Sequence, residues 1–195
     1  DKGRSARRRF ERACRLASAS NIAPTTVPGG AFRFQEATHI LKGKNPLPTF
    51  IGDVFGTAQK ATRVLYLTDN AGEVGFDSLL IATLKEMGAT VNLVVKEDPF
   101  FEDATTKDAL FFGMDKFVDN IFTVNGFFIP GRSKSQLSNI FKKSDLVIGK
   151  GTGNFEALKD HVHGKPILYM LKVKCHPIAG KTGGKIGSFI VKIET

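Results

Sequence analysis

The sequence predicts an α/β protein: a mostly parallel sheet between two layers of helices, with a helical appendage at its N-terminus. Two observations carry that expectation. From Arg63 onward, short β-branched runs alternate with segments of helical period, the pattern of a parallel sheet with crossover helices. Within this pattern, residues 64–77 (VLYLTDNAGEVGFD) form a strand-like run that stops at Asp69-Asn70 and passes through a glycine-containing turn into an apolar helical segment. In an open parallel sheet, ligands bind beyond the carboxyl ends of the strands, where helix N-termini present free N–H groups. Asp69 and Asn70 are expected at that edge.

The elements follow in order. Phe10, Ala13, Leu16 and Ala17 recur at helical spacing and predict a helix over 7–19 that packs through those four side chains. The stretch NIAPTTVPGG reads as a loop. Phe34, Ala37, Ile40 and Leu41 predict a second helix over 31–41, residues 42–48 break it, and 50–61 reads as a third. Residues 1–61 are thus expected as a helical N-terminal region and 62–195 as the α/β core. Strands are expected at 64–68, 91–95, 120–124, 145–148, 167–171 and 188–193, with helices at 76–87, 105–112, 135–142 and 154–159. The chain opens on Asp1, inside a helical pattern, so a preceding N-terminal piece is expected to be missing.

At 195 residues the chain suffices for one well-buried α/β domain, and an apolar fraction of 42% fits a globular protein. It has 17 Phe, two Tyr and no Trp; Phe adds bulk without a polar atom to satisfy, which predicts a Phe-rich core. Net charge is +9, and the first fifteen residues carry seven Lys/Arg against Asp1 and Glu11. Because apolar residues run at helical spacing through this basic stretch, a solvated helix face is expected there, and nucleic acid is not the expected partner. Cys14 and Cys175 are too few for a disulfide framework and lack metal-site spacing, so reduced thiols in a cytoplasmic protein are expected. Cys175, between apolar strand residues and Pro177, is expected to be buried. No apolar run approaches the roughly 18 residues of a membrane span.

Polar residues follow the ends of several expected strands. Asp69 and Asn70 follow the first, KEDPFFEDAT with Asp103 the second, KGTGNFE with Lys150 and Asn154 the fourth, and Lys172 and Lys174 the fifth. Because the carboxyl ends of parallel strands share one edge, these residues are expected to converge. Two carboxylates and an amide oxygen make a hard site suited to Mg²⁺ or Mn²⁺, and neighbouring lysines imply an anionic substrate. The chain lacks a P-loop, a GxGxxG, a GxSxG elbow and an HExxH helix, which removes the corresponding nucleotide, dinucleotide, serine-hydrolase and zincin readings. Ala71 stands where an aspartyl-nucleophile phosphatase would place its second Asp.

The blocks TDNAGE, EDAT at 102–105, KGTGNFEAL and LKVKC, in that order, resemble the metal-dependent damage-control phosphatases, and the stand-alone archaeal type in particular. The resemblance spans the chain from about Asn21 and implies a Rossmann-like α/β/α core, a divalent cation (Mn²⁺, Mg²⁺, Co²⁺ or Ni²⁺), and hydrolysis of small, damaged or surplus phosphometabolites such as sugar phosphates. It implies Asp69, Asn70 and Asp103 as metal ligands, and Lys150, Asn154 and Lys172 as phosphate-binding residues. Asp103 and Glu73 are the candidate general bases. The chain departs from the family pattern at KEDPFFEDAT. The competing expectation is a phospholigand- or nucleic-acid-binding protein with a non-catalytic metal site.

Overall fold

The computed structural model describes residues 2–21, 39, 42, 47–133, 135–161 and 164–195. The helix expected over 31–41 therefore lies outside the described residues, apart from His39. In chain order the elements are α1 (Lys2–Ala19), β1 (Thr49–Ile51), α2 (Val54–Lys60), β2 (Arg63–Leu67), α3 (Val74–Glu86), β3 (Thr90–Lys96), α4 (Thr106–Phe111), β4 (Asn120–Val124), α5 (Ser135–Lys143), β5 (Leu146–Lys150), α6 (Gly151–Lys159), β6 (Ile167–Lys172), α7 (His176–Thr182) and β7 (Phe189–Glu194).

The strands form one seven-stranded sheet in the order β1-β7-β6-β5-β2-β3-β4. β2 to β6 are mutually parallel, whereas β7 runs antiparallel to β6 and carries β1 parallel to itself. The chain winds outward from β2 through β3 to β4, then returns to β5 and winds the other way. β2 and β5 are hydrogen-bonded neighbours, so the switch point of the sheet lies between their carboxyl ends.

Alternation along the strands sends consecutive side chains to opposite faces. Val64, Tyr66, Val91, Leu93, Ile148 and Met170 join a core beneath α1 and α3, while Leu65, Leu67, Val94, Val147, Tyr169 and Ile190 join a second core with Phe155 and Leu158 of α6. Both faces of the central strands are covered, as a parallel sheet requires. The N-terminal helix is part of this packing: Phe10, Ala13, Cys14 and Ala17 are buried in the first core and Leu16 is half-buried. Its basic face is exposed, with Arg7 Nε 2.8 Å from Glu11 and Arg9 at 3.9 Å from Glu86.

Three expectations need correction. The single helix expected over 50–61 is a strand followed by a helix. Thr49, Phe50 and Ile51 pair with Ile190, Val191 and Lys192, and Gly52 at φ +82° turns the chain into α2, whose first turn is capped by the Asp53 carboxylate accepting from the Gly56 N–H. The partner strand is some 140 residues further on, so no local period reveals it. Residues 1–61 thus contribute a strand as well as helices. Phe is not confined to the core: Phe100 and Phe101 in the loop after β3, Phe111 at the end of α4, and Phe117 beyond it are exposed. Cys175 is exposed, since the chain after β6 turns into α7, with Cys175 at its N-cap and Pro177 in its first turn.

Candidate active site

The carboxyl ends of β2 and β3 are laced together by backbone hydrogen bonds through the loop that follows β3. Ala71 N–H donates to Glu102 O at 2.7 Å, Ala104 N–H to Asp69 O at 2.8 Å, and Lys96 N–H to Ala104 O at 2.8 Å. Asn70 and Asp103, 33 positions apart, are consequently paired residues in an antiparallel bridge. Gly151 opens α6 directly after β5 with φ +76°, and a Cβ there would overlap the Asp69 carboxylate. A glycine is therefore required twice over at this position, by the backbone and by the space Asp69 occupies.

Glu73, in the 3₁₀ turn after Asn70, is the buried hub. Its Oε1 accepts from Asn21 Nδ2 and from Asn70 Nδ2, each at 2.7 Å, and its Oε2 lies 2.6 Å from Lys150 Nζ. Lys150 Nζ also donates to Asp77 Oδ1 at 2.7 Å, an oxygen that Tyr66 OH reaches at 2.8 Å. Lys150 has no exposed surface, so its ammonium is engaged behind the site rather than presented at its mouth. Burial alone would discharge such a lysine, but Asp77 and Glu73 outweigh burial and hold it protonated. Asn154 is likewise structural in its contacts, donating to Thr68 O and Lys150 O at 2.9 and 2.8 Å. Lys172 lies at the end of β6, where its backbone N–H donates to Asn21 Oδ1 at 3.2 Å and its ammonium lies over the Phe189 ring.

Electrostatically the front of the site is overloaded with negative charge. Burial, reinforced by Glu73 and Asp103, pushes the Asp69 carboxyl up to about 7 against the pull of Lys150 and a 2.6 Å hydrogen bond from Asn21 Nδ2. Burial also raises Asp103, opposed by Lys96, whose Nζ lies 3.2 Å from Asp103 Oδ2. That ion pair falls outside hydrogen-bond geometry, and among the described residues the buried Asp103 Oδ2 has no hydrogen-bond partner. Asp69, Asn70 and Asp103 fit a hard divalent ion by chemistry: two carboxylates raised by burial and by the charge of Glu73, and one amide. Among the described residues no three His, Cys, Asp or Glu side chains form a group that could hold a metal ion.

Asp69, Asn70, Glu73, Asp103, Lys150 and Asn154 are thus brought together at one edge. Two contributors escaped sequence reasoning. Lys96 ends β3 and obeys the same strand-end rule that picks out Asp69, one residue beyond the expected strand. Asn21 has no comparable signal: it follows α1 in what reads as a loop, yet bonds residues 48, 52 and 151 positions away.

Fold and geometry define a doubly wound α/β protein with an acidic, oxygen-rich side-chain cluster at its switch point. A sequence profile of the damage-control phosphatase ARMT1-like domain matches residues 1–190, and the chain belongs to that family. It is 37% identical over 135 residues to a damage-control phosphatase of Archaeoglobus fulgidus, covering 67% of this chain and 46% of that protein. It is 33% identical over 177 residues to a damage-control phosphatase of Pyrococcus horikoshii, covering 87% and 60%. The crystal structure of a DUF89 family protein from P. horikoshii superposes with a TM-score of 0.78 at 30% identity, over 93% of this chain and 65% of that one. The chain spans about half the length of the first curated relatives it matches. Among the described residues no helix is long and apolar enough to cross a membrane.

Proposed function

We propose that this chain carries the site of a metal-dependent phosphomonoester hydrolase acting on small phosphorylated metabolites, sugar phosphates among them. The observation that supports it is Asp103 Oδ2, a buried carboxylate oxygen without a hydrogen bond among the described residues, set opposite Asn70 in a cluster whose repulsion a divalent cation would relieve. Asp69, Asn70 and Asp103 would hold Mn²⁺, Mg²⁺, Co²⁺ or Ni²⁺. Such an ion supplies charge neutralisation for the phosphate and acidifies water.

The remaining work falls to the side chains. Glu73 has both carboxylate oxygens engaged by Asn21, Asn70 and Lys150, so it orients the Asn70 amide and makes a poor proton acceptor. Of the two candidate bases, Asp103, with its carboxylate less engaged by hydrogen bonds, is the better placed to accept a proton from attacking water. Lys150 neutralises Glu73 and Asp77 from behind, and Asn154 fixes the end of β5 against the end of β2. Gly151 leaves the room that the Asp69 carboxylate needs. Two unbridged thiols fit a cytoplasmic setting.

The test is hydrolysis of a phosphomonoester panel by protein stripped with a chelator and then given each of the four ions. Activity should vanish on stripping and return with metal. Turnover indifferent to chelation, or metal binding without any hydrolysis, would overturn the reading. Under the competing binding-protein reading, affinity for nucleic acid would be steeply salt-dependent and need no metal.

A further inference from the structure

Besides Lys172 at the end of β6, two lysines stand at this edge of the sheet, both buried, and their ammonium groups meet different partners. Lys150 is enclosed, with its ammonium between Glu73 and Asp77. Lys96, 5% exposed, lies on the other side of the carboxylate cluster. Its Nζ is 3.2 Å from Asp103 Oδ2, donates to Gly126 O at 2.5 Å, and sits 3.8 Å from the centroid of the Phe127 ring. That ring packs against Gly153 in the first turn of α6, where a Cβ would strike it. Lys96 Nζ is therefore placed where the loops after β3 and β4 meet the helix after β5, next to the proposed metal ligand Asp103.

We infer that Lys96 is the ammonium that receives the substrate's phosphate, and that it serves Asp103 as an internal cation until then. This rests on the metal-dependent phosphatase reading above. An ammonium and a divalent ion on the one Asp103 carboxylate repel each other at such separations, so each weakens the other's hold. Lys96 gives up Asp103 when the carboxylate takes a metal ion, and the nearest compensation for its charge is then a phosphate oxygen of the substrate. A lysine can make this exchange without moving the backbone, because its charge rides on a flexible four-carbon stem. The Phe127 ring and the Gly126 carbonyl keep the ammonium at the site meanwhile, as cation–π and hydrogen-bond partners that compete with no metal.

The inference separates Lys96 from a residue that merely braces Asp103. Calorimetric titration of Mn²⁺, followed by inorganic phosphate on the Mn²⁺-loaded protein, is to be run on wild type, Lys96→Met and Lys96→Arg. Lys96→Met should bind Mn²⁺ as tightly as wild type or several-fold tighter, its competitor being gone, while phosphate affinity falls by roughly tenfold or more. Lys96→Arg should recover part of the phosphate affinity. Should Lys96→Met not fold, Lys96→Gln is expected to show the same pattern. Loss of Mn²⁺ binding in the neutral variants, wild-type phosphate affinity in them, or no phosphate binding by the loaded wild type would each overturn the assignment. Hydrolysis assays then tell the two readings apart. Lys96-dependent phosphate binding by a wild type that hydrolyses nothing would remove the phosphatase reading alone; hydrolysis whose KM ignores Lys96→Met would remove the Lys96 assignment alone.

Discussion

At the scale of single residues, the two charged groups most central to the site have different tasks and should fail differently. Asp103→Asn keeps size but removes one negative charge from the proposed ligand set, so Mn²⁺ affinity should drop by roughly tenfold or more, and turnover with it. Calorimetry beside hydrolysis rates measures this, and wild-type metal affinity in the variant would refute the ligand. Lys150→Met leaves Glu73 and Asp77 buried without their shared counter-ion. Stripping one partner from a buried ion pair costs about 3–5 kcal/mol, so the variant should lose stability of that order in denaturant unfolding. An unfolding free energy within ~1 kcal/mol of wild type would mean that water reaches this triad.

At the scale of elements, α1 and the start of α6 carry the sharpest expectations. α1 holds its place through Phe10, wholly buried in the core over the sheet and 5.7 Å in centroid distance from Phe55. Phe10→Ala should cost about 3–5 kcal/mol by the usual sum of lost transfer energy and cavity. A cost below ~1 kcal/mol would show that α1 can leave the sheet without penalty. Gly151→Ala asks a residue with a Cβ to adopt φ +76° and to share space with the Asp69 carboxylate. The backbone alone should cost about 1–3 kcal/mol, and displacement of Asp69 should weaken Mn²⁺ binding in the same variant. Full metal affinity in a folded Gly151→Ala protein would remove Asp69 from the ligand set.

Across the whole molecule, the two edges of the sheet do different work. The amino edge is tied by carboxylates that serve stability: Asp145 accepts from the Thr62 and Arg63 N–H groups at 3.1 and 2.7 Å and from Thr62 Oγ1 at 2.8 Å, and Asp119 accepts from Val91 N–H and Lys85 Nζ at 2.6 and 2.7 Å. Partial burial pushes both carboxyls up, but these hydrogen bonds outweigh it and hold them below the ordinary value. A depressed folded value means that the stabilisation is present above the unfolded value, near 3.9, and fades as pH falls through the folded value. Asp145→Asn should therefore lose about 1–2 kcal/mol at neutral pH, discounted for its partial exposure, and the gap to wild type should close below about pH 4. Denaturant unfolding across pH measures it; a gap that widens in acid would contradict the sign. The carboxyl edge shows the opposite arrangement, with Asp69 raised by burial and repulsion, which is costly to the apo fold and useful to a cation.

What the sequence determined by itself was everything that rests on local period and on a rule about sheet edges. Alternating strands and helices fixed the α/β class, the strand at 120–124 coincides with β4, and the strand-end rule gathered Asp69, Asn70, Asp103, Lys150 and Asn154 at one edge. Only the tertiary structure decided how those groups divide their labour. β1 depends on a partner some 140 residues away, so Phe50 and Ile51 read as helix until β7 is beside them. The burial of Lys150 follows from Glu73 and Asp77, which reach it from a 3₁₀ turn and a helix more than 70 residues earlier. Asn21 joins the site through contacts across the fold, where spacing along the chain carries no information, whereas Lys96 obeys the strand-end rule and only its partners come from the tertiary structure. Local patterns record which face of an element is apolar; they do not record which charges will share a buried volume, and that sharing sets what each carboxylate and each lysine is free to do.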